Sequence, residues 1–323
     1  MNPLLITGAT GFVGRTLLLR TVAEGTPVLA PVRDPEKLRA QLDGENVPRG
    51  LVTPLPADPR AWGDVRPDRA VLCAGVLFAR TRDEYFRTNV DWNLEVLRAL
   101  PADCRTVVLS SQSAGGPTPR GRTARSESDP DAPVTWYGES KLALEQAIVR
   151  ELSGRPITIL RPPMILGARD SATLPLFKMA RGLVRTKPGL RRKFYSFLSV
   201  DDVVSAILAA FGSGDSGPFY IAGETPISDL DLIGSAARAA GGSGLTVRVP
   251  LAVVRMMALV VDAVPSLRAA TPSLTRDRAR EIWPDRWVVD ASAFRRRTGW
   301  NATIPLEQAI GEAFEWFRKS QLL

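Results

Sequence analysis

The chain has 323 residues, of which 45% are hydrophobic and 24% charged, and its formal net charge is +8. This is the composition of an ordinary globular protein, which excludes the disordered and fibrous classes, and no apolar run reaches the roughly 20 residues that span a membrane. The sequence contains no histidine, which excludes histidine-dependent catalytic triads and removes the commonest metal ligand, so we expect no metal site.

Charge and cysteine usage narrow the expected partners and compartment. The positive charge is carried mostly by arginine, in clusters at residues 120–125, 191–193 and 295–297. These clusters lack interleaved aromatic residues and accompany no DNA-binding motif, so they indicate a solvated surface, and we expect no nucleic-acid partner. The same charge would also suit an anionic cofactor or substrate. Two cysteines give no disulfide framework and no basic leader precedes the first strand, so we expect a cytoplasmic protein.

Short apolar runs alternate with amphipathic segments through the first half of the chain, the pattern of a parallel sheet covered by helices on both faces. The runs predict strands at residues 4–7, 28–32, 70–73, 106–110 and 157–160. The amphipathic segments predict helices at residues 14–24, 83–100 and 137–152. We therefore expect an α/β protein with a doubly wound parallel sheet. Its dinucleotide-binding Rossmann domain would cover residues 1–162 and receive crossover segments from the second half.

The first strand, LLIT, is followed by Gly8, Gly11 and Gly14 and then by a helical segment. The early glycines let the backbone turn tightly and approach phosphate groups, and the last allows the helix to pack closely on the sheet. The N-terminus of the helix adds free N–H groups and a positive dipole. A glycine cluster alone is weak evidence, but the strand before it and the helix after it make a dinucleotide diphosphate the expected ligand.

The end of the second strand reads VRDPEKL and bears on which dinucleotide is bound. An acidic residue there would bind the ribose 2′-hydroxyl of NAD, whereas an arginine accommodates the 2′-phosphate of NADP. Arg33 takes that place, so NADP(H) is favoured. Asp34 leaves NAD(H) open, because it could bind the hydroxyl or merely cap the following helix.

Tyr137 and Lys141 lie four residues apart in the helix predicted at 137–152, after an aperiodic loop at residues 115–133. This spacing places both side chains on one face of the helix. An ammonium close to a phenol lowers the pKa of the phenol from about 10, so Tyr137 could exchange a proton with a carbonyl or alcohol oxygen. The pattern is common by chance, and its weight here comes from the glycine motif and from the strand that ends in LSSQS.

Beyond residue 162 the chain changes to shorter helices and to the strand-like segments KFYSFLSV and PFYIAG. They indicate a small lobe that covers mainly residues 163–323 and binds substrate, with an amphipathic helix at 305–319. The apolar segment at 249–264 is too short to span a bilayer. It is a buried or lobe-covering helix, a contact for an apolar substrate, or a peripheral membrane contact.

The segments TGATGFVG, YGESK and LSSQS together resemble the short-chain dehydrogenase/reductase family, specifically its extended branch of NAD(P)-dependent epimerases and dehydratases. The resemblance covers nearly the whole chain and is nearest to dihydroflavonol-reductase and hydroxysteroid-dehydrogenase members. It implies a catalytic set of Ser111, Tyr137 and Lys141, in which Ser111 holds the substrate oxygen and Lys141 also binds the nicotinamide ribose. Ser113 is the fallback for the serine, Ser110 could be no more than a strand-end hydrogen bonder, and Asn89 could be purely structural.

The resemblance also implies a set of dinucleotide contacts and a homodimer built from the helices at 83–100 and 137–152. The implied contacts are Thr7, Gly8, Thr10, Gly11, Phe12, Val13, Gly14, Arg33, Asp58, Cys73, Ala74, Gly75, Tyr137, Lys141, Pro162 and Met164. Asp58 is the weakest of them, because LPADPRAW departs from the usual pattern of the family.

The departures from the family pattern narrow the expected reaction. SSQSA lacks the acidic pair of the branch's dehydratases, and Arg33 indicates an exchangeable NADPH, which suits net reduction. We therefore expect hydride transfer from NADPH to a ketone or aldehyde of an apolar small molecule, with secondary-alcohol oxidation in reverse. Two alternatives stay open. One is an NAD-dependent nucleotide-sugar epimerase or dehydratase, with Arg169, Arg191 and Arg192 facing a diphosphate, and the other is a non-catalytic dinucleotide-binding scaffold or sensor.

Overall fold

The computed structural model describes residues 2–48, 50–212 and 217–323. Its strands are β1 (Leu4–Thr7), β2 (Val28–Val32), β3 (Val52–Pro56), β4 (Arg69–Leu72), β5 (Arg105–Leu109), β6 (Ile157–Arg161), β7 (Met164–Leu166), β8 (Val184–Pro188), β9 (Phe194–Tyr195), β10 (Phe197–Ser199), β11 (Gly217–Tyr220), β12 (Ile227–Ser228), β13 (Leu245–Val249) and β14 (Arg286–Trp287). Its α-helices are α1 (Phe12–Ala23), α2 (Pro35–Gly44), α3 (Arg82–Phe86), α4 (Trp92–Ala99), α5 (Gln112–Gly115), α6 (Trp136–Glu151), α7 (Leu174–Ala180), α8 (Val200–Ala210), α9 (Asp229–Ala240), α10 (Leu251–Ala263), α11 (Pro265–Ala270), α12 (Ser292–Thr298) and α13 (Leu306–Lys319). A π-helical turn, Arg87–Asp91, joins α3 to α4, and short 3₁₀ turns lie at Pro59–Ala61, Ser171–Thr173, Pro272–Leu274 and Arg278–Ile282.

Seven strands form one parallel sheet in the spatial order β3-β2-β1-β4-β5-β6-β11. The order reverses between β1 and β4, because the chain first builds outward through β2 and β3 and then returns to the other side of β1. Loops at the carboxyl ends of β1 and β4 therefore diverge and leave a crevice, which is where open sheets of this kind bind ligands.

Helices cover both faces of the sheet, as its buried strands require. All four residues of β1 and all five of β6 are buried, so these strands must be enclosed on both sides. On one face α1 and α8 pack together over β1, with Leu17 and Ile207 in their core. On the other face α4 and α6 bury residues such as Leu97 and Leu144.

The second half of the chain forms a smaller lobe beside the carboxyl edge of the sheet. Its core joins α7, α9 and α13, where the rings of Phe177 and Phe317 lie 5.4 Å apart. Small sheets connect it internally: β10 pairs with β7, β9 pairs with β12 and β14, and β13 pairs with β8. Residues of β7, β9 and β14 consequently line part of the crevice.

The expected α/β fold with a doubly wound parallel sheet is confirmed, and the strands predicted at 4–7 and 28–32 have the observed bounds. The crossover from the second half is β11, which adds the outermost strand next to β6. The boundary between a domain of residues 1–162 and a lobe of residues 163–323 stays a prediction.

Three local expectations need correction. The strand β3 was not predicted, because Pro54 and Pro56 interrupt its apolar pattern; both are tolerated because β3 is the edge of the sheet. The helix predicted at 83–100 contains the π-helical turn. The strand predicted at 70–73 ends at Leu72, which places Cys73 in the loop that follows it.

Candidate active site

The turn after β1 forms the base of the larger of two cavities at the crevice. Gly8 has a φ of +68°, a left-handed conformation that favours glycine, and the N–H of Gly11 donates to the Gly8 carbonyl over 2.8 Å. A Cβ at Gly8 would lie 2.8 Å from the backbone nitrogen of Ala74, and one at Gly14 would lie 2.3 Å from the Gly8 carbonyl oxygen. No side chain fits at either position. The helix α1 begins after Gly11 without a side-chain cap, so its first N–H groups can bind an anion.

The cavity over this turn has a volume of about 750 Å³. The predicted dinucleotide contacts that line it are Gly8, Thr10, Gly11, Phe12, Val13, Gly14, Arg33, Asp58, Cys73, Ala74 and Gly75. Thr7 is buried beneath it, and its Oγ1 accepts from the N–H of Ala74 over 3.2 Å. Pro162 is buried as well, and its carbonyl accepts from the N–H of Gln112, whereas Met164 lines the second cavity. The glycine turn and the open helix N-terminus fit the diphosphate of a dinucleotide.

The far end of this cavity is basic. Arg33 is exposed there beside Lys37. Asp34 caps α2, since its Oδ1 accepts from the N–H of Lys37 over 2.9 Å. Asp58 is held by Arg60, whose Nε lies 2.9 Å from Oδ1, and this hydrogen bond holds the pKa of Asp58 below its usual range. Of the two roles open to Asp34, the structure therefore shows the cap, and Arg33 and Lys37 are left facing the cavity.

The second cavity, of about 430 Å³, contains the predicted serine and tyrosine. Ser111 follows β5 and begins α5, with its Oγ accepting from the N–H of Ser113 over 3.1 Å. Tyr137 lies in the first turn of α6, which Thr135 caps by accepting from the N–H of Gly138 over 3.2 Å. The Ser111 hydroxyl lies near enough to Tyr137 to lower the pKa of its phenol, against the effect of burial. The structure thus brings both hydroxyls to the wall of one cavity, and Phe12 lines both cavities.

Lys141 lies one turn beyond Tyr137 on α6 and is buried. Its Nζ donates to the carbonyl of Leu109 over 2.9 Å and lies 6.0 Å from the centre of the Tyr137 ring. A Cβ at Gly75 would come within 3.3 Å of that Nζ, so the absence of a side chain at Gly75 keeps the ammonium open toward the loop after β4. Burial lowers the pKa of Lys141 to about 8, against the opposing effects of Cys73 and Glu145.

The acidity of Tyr137 differs from the sequence-based expectation. Burial raises the pKa of Tyr137, and the nearby Ser111 hydroxyl and the charge of Arg278 only partly oppose it. The expected net acidification of Tyr137 by Lys141 is therefore wrong, because burial outweighs the opposing effects. The cation nearest the phenol ring is Arg278, whose guanidinium carbon lies 5.3 Å from the ring centre.

Sequence reasoning missed Arg278 and Glu281, which the 3₁₀ turn Arg278–Ile282 carries into the second cavity. They form an ion pair at 2.9 Å. The carboxylate of Glu281 also accepts from Ser113 Oγ and from Thr135 Oγ1, each over 3.1 Å. Ser113, the fallback serine, is thus engaged in holding this turn. The i, i+3 spacing of opposite charges in RDRAREI was the available signal, but nothing in it shows which distant residues the pair meets.

Asn89 and Asn93 fix the loop after β4 to the π-helical turn. Asn89 Oδ1 accepts from the N–H of Val76 over 2.8 Å, and its Nδ2 donates to Ser140 Oγ over 2.9 Å. Asn93 Nδ2 donates to the carbonyls of Asn89 and Ala74 over 3.2 and 3.3 Å. Asn89 therefore has a structural role next to the cofactor cavity.

Ser110 and Asp170 complete the surroundings of the site. Ser110, at the end of β5, donates to Glu145, which is paired with the buried Arg161. Ser110 therefore acts as a strand-end hydrogen bonder, which was the alternative considered for it from the sequence. Asp170 lines the second cavity, and burial raises its pKa to about 6 although its Oδ1 accepts from the N–H of Ala172 over 3.0 Å.

Comparisons with known proteins agree with this architecture. The profile of the NAD dependent epimerase/dehydratase family matches residues 4–223. A dTDP-6-deoxy-L-talose 4-dehydrogenase (NAD(P)(+)) of Kitasatospora kifunensis is 30% identical over 66% of this chain and 71% of its own length. A ceramide reductase of Caulobacter vibrioides is 25% identical over 97% of this chain and 93% of its own. The solved structure of MoeE5 in complex with UDP-glucose and NAD superposes with a TM-score of 0.74 at 20% identity, covering 99% of both chains, which shows a shared fold.

Proposed function

Because the chain belongs to the NAD-dependent epimerase/dehydratase family, the extended branch of the short-chain dehydrogenases/reductases, we propose that it is an NADPH-dependent reductase of a ketone or aldehyde in an apolar small molecule. That it is an NAD(P)-dependent oxidoreductase of this type follows from the family and from its reductase and dehydrogenase relatives. The choice of NADPH, of reduction and of an apolar substrate is the proposal.

One observation carries the proposal: Ser111 and Tyr137 line one cavity, which shares Phe12 with the cavity over the glycine turn. The bound dinucleotide would supply a hydride to the carbonyl carbon. Tyr137, kept protonated by burial, donates its proton to the carbonyl oxygen, and Ser111 holds that oxygen by a hydrogen bond. Lys141 would bind the nicotinamide ribose, because Gly75 has no side chain that would cover its Nζ. With a pKa of about 8, the ammonium of Lys141 is mostly charged at neutral pH.

The preference for NADP(H) rests on the basic end of the larger cavity. Arg33 and Lys37 face the cavity, whereas Asp34 is occupied as the cap of α2. A 2′-phosphate would meet two positive side chains and no unengaged carboxylate from the end of β2.

The apolar substrate rests on the lining of the second cavity. Most of the exposed wall area is apolar and includes the side chains of Phe12, Leu77, Met164, Ile165 and Trp287. Among the described residues of that lining Arg278 is the one basic side chain, and Glu281 neutralises it. The relative from Caulobacter vibrioides, a ceramide reductase, is in keeping with a substrate of this kind.

The nucleotide-sugar alternative loses its proposed anion contacts. Arg169 is paired with Glu45 at 3.0 Å, and Arg191 and Arg192 are exposed on the outside of the lobe. None of the three lines the second cavity within the described part of the chain.

The finer points of assembly and location are also proposals. We place a homodimer contact on the outer faces of α4 and α6, which are tied to each other by the ion pair of Arg98 with Glu151, and we keep a cytoplasmic location. Analytical ultracentrifugation of the wild type, with Val149→Arg on the outer face of α6 as the disrupting variant, tests the dimer; Val149 is 64% exposed in one chain. A wild type that sediments as a monomer contradicts it.

The function is tested by following NADPH absorbance with a panel of apolar ketones and aldehydes. Tyr137→Phe should lower kcat by about 10²- to 10⁴-fold, because it removes the proton donor while keeping the ring. Tyr195→Phe is the matched variant, since it removes a phenol hydroxyl from the same cavity and should change KM more than kcat. A wild type that binds NADPH tightly but does not oxidise it with any carbonyl of the panel would instead support the scaffold alternative. A wild type that purifies with tightly bound NAD and needs no added NADPH would support the epimerase.

A further inference from the structure

The helix α10 presents apolar side chains to solvent over most of its circumference. Val254, Ala258 and Val261 are its buried residues, and their spacing of four and three places them on one side. Met256 and Val260 are 61% and 53% exposed on the other side. The exposed large apolar side chains from this helix and the start of α11 are Val253, Met256, Met257, Leu259, Val260, Val264 and Leu267. Soluble monomers rarely expose so continuous a patch without a partner for it.

The apolar face continues beyond the helix onto the two-stranded sheet of β8 and β13. The strand β13 runs through Pro250 directly into α10, and four of its five residues are exposed. Leu245 is 76% exposed on β13, and Leu183 is 83% exposed just before β8. The loop after β8 meets the start of α10, because a Cβ at Gly189 would lie 3.5 Å from the Leu251 side chain. We use the name lobe face for the surface formed by the exposed side chains of residues 181–192 and 245–267.

The charges on the lobe face are almost all positive. Its exposed basic side chains are the arginines at 181, 191, 192, 248 and 255, of which Arg191 lies 3.6 Å from Asp285, and the one acidic residue in these ranges is the partly buried Asp262. Asp262 is itself engaged, because one Oδ accepts from the N–H of Arg276 over 3.0 Å and the other lies 3.9 Å from Arg268. A second copy of the chain docked through the same surface would therefore oppose arginines to arginines, which costs free energy.

We infer that the lobe face binds the surface of a membrane that contains anionic lipids. Exposed apolar side chains next to arginines are the composition of segments that lie in the lipid interface, where the apolar groups enter the acyl boundary and the guanidinium groups meet phosphate. The contact is peripheral, since no helix among the described residues is long and apolar enough to cross a bilayer. This inference depends on the surface alone and does not require the proposed reaction.

The lobe face adjoins the second cavity. The 3₁₀ turn Arg278–Ile282, which lines that cavity, contacts α10. Just after it, the ring of Trp283 lies 5.4 Å from the guanidinium carbon of Arg255 on α10. If the proposed apolar substrate is correct, a protein seated in this way takes it from the lipid beside the cavity.

Vesicle co-sedimentation of the full chain tests the inference without any turnover. The probes are vesicles of phosphatidylcholine alone and of phosphatidylcholine with phosphatidylglycerol. The wild type should sediment with the anionic vesicles, far less with the neutral ones, and less as salt is raised. Met256→Gln with Val260→Gln should weaken that binding by about tenfold or more, because two apolar side chains no longer enter the interface. Both positions are exposed, so the variant should keep the melting temperature of the wild type.

A matched pair of single variants separates the lobe face from general surface effects. Leu259→Gln lies on α10 and Leu322→Gln lies after α13, and the two leucines are 47% and 44% exposed. The first should weaken vesicle binding and the second should not. The inference is overturned if the wild type stays in the supernatant with anionic vesicles, or if both variants bind as the wild type does. It is also overturned if Met256→Gln with Val260→Gln dissociates a wild-type dimer, because a second copy would then cover this face.

Discussion

Replacement of Arg278 by methionine tests how the site controls the proton of Tyr137. The guanidinium carbon of Arg278 lies 5.3 Å from the centre of the Tyr137 ring, and at an effective dielectric of about 20 a unit charge at that distance stabilises a phenolate by about 3 kcal/mol. Glu281, paired with the guanidinium at 2.9 Å, opposes this effect, so the ion pair as a whole stabilises the phenolate less than Arg278 alone does. Loss of Arg278 should therefore raise the pKa of Tyr137.

The assay is alcohol oxidation, in which the phenolate of Tyr137 accepts the proton and the rate rises with pH. On the rising limb of the profile kcat/KM of Arg278→Met should fall by up to about 100-fold, as a loss of up to about 3 kcal/mol implies, and the limb should move to higher pH. In the reductive direction the phenol donates the proton, so the same variant should keep its activity to higher pH than the wild type.

Two further variants isolate the charge from the shape of the side chain. Arg278→Lys keeps a cation near the ring and should keep most of the wild-type profile. Arg278→Met with Glu281→Gln removes both charges and should shift the limb less than Arg278→Met alone, because no uncompensated carboxylate is left. A limb that stays in place in Arg278→Met, with melting temperature and NADPH binding unchanged, would refute the electrostatic role of Arg278.

Three further predictions concern the cofactor cavity and stability. Arg33→Ala should raise KM for NADPH by about tenfold or more and leave KM for NADH nearly unchanged, because a charge-assisted contact is lost only with the 2′-phosphate; equal steady-state effects on both would contradict the assignment. Gly14→Ala should abolish NADPH binding measured by fluorescence, since its Cβ would lie 2.3 Å from the Gly8 carbonyl oxygen, whereas Gly311→Ala, with no atom within 4 Å, should bind normally and be slightly more stable. The contribution of Asp170 to the free energy of unfolding should fall as pH rises from 3.8 to about 6, because there the unfolded chain ionises Asp170 while the folded protein keeps it protonated. In parallel urea titrations the wild type should therefore lose stability relative to Asp170→Asn across this range, and a constant difference would show that the carboxyl does not titrate this way.

The parts of the site that follow from sequence are those encoded over a few residues. Gly8 and Gly14 could be placed because a tight turn between a strand and a helix has a local signature. Tyr137 and Lys141 could be paired because helical periodicity alone fixes their relative position.

The parts that sequence missed depend on packing between distant segments. Arg278 meets Tyr137 only because the lobe folds back over α6, and no local pattern reports a contact across so many residues. The raised pKa of Tyr137 follows from burial, which the sequence of one helix does not reveal. The apolar segment of residues 249–264 gave three alternatives because hydrophobicity does not show what covers a helix; the structure shows α10 largely uncovered.

The π-helical turn between α3 and α4 accommodates one more residue than a regular helix would, and each residue of a helix advances its side chains by about 100°. The extra residue therefore sets the rotation of the α4 side chains about the helix axis. Leu94 and Leu97 face the sheet, while Asn89 and Asn93 reach the loop at Ala74–Val76. Deleting one residue of this turn would restore a regular α-helix, but it would rotate either the leucines away from the sheet or the asparagines away from the loop. The π-helical turn thus couples the packing of α4 on the sheet to the position of the loop that borders the dinucleotide cavity.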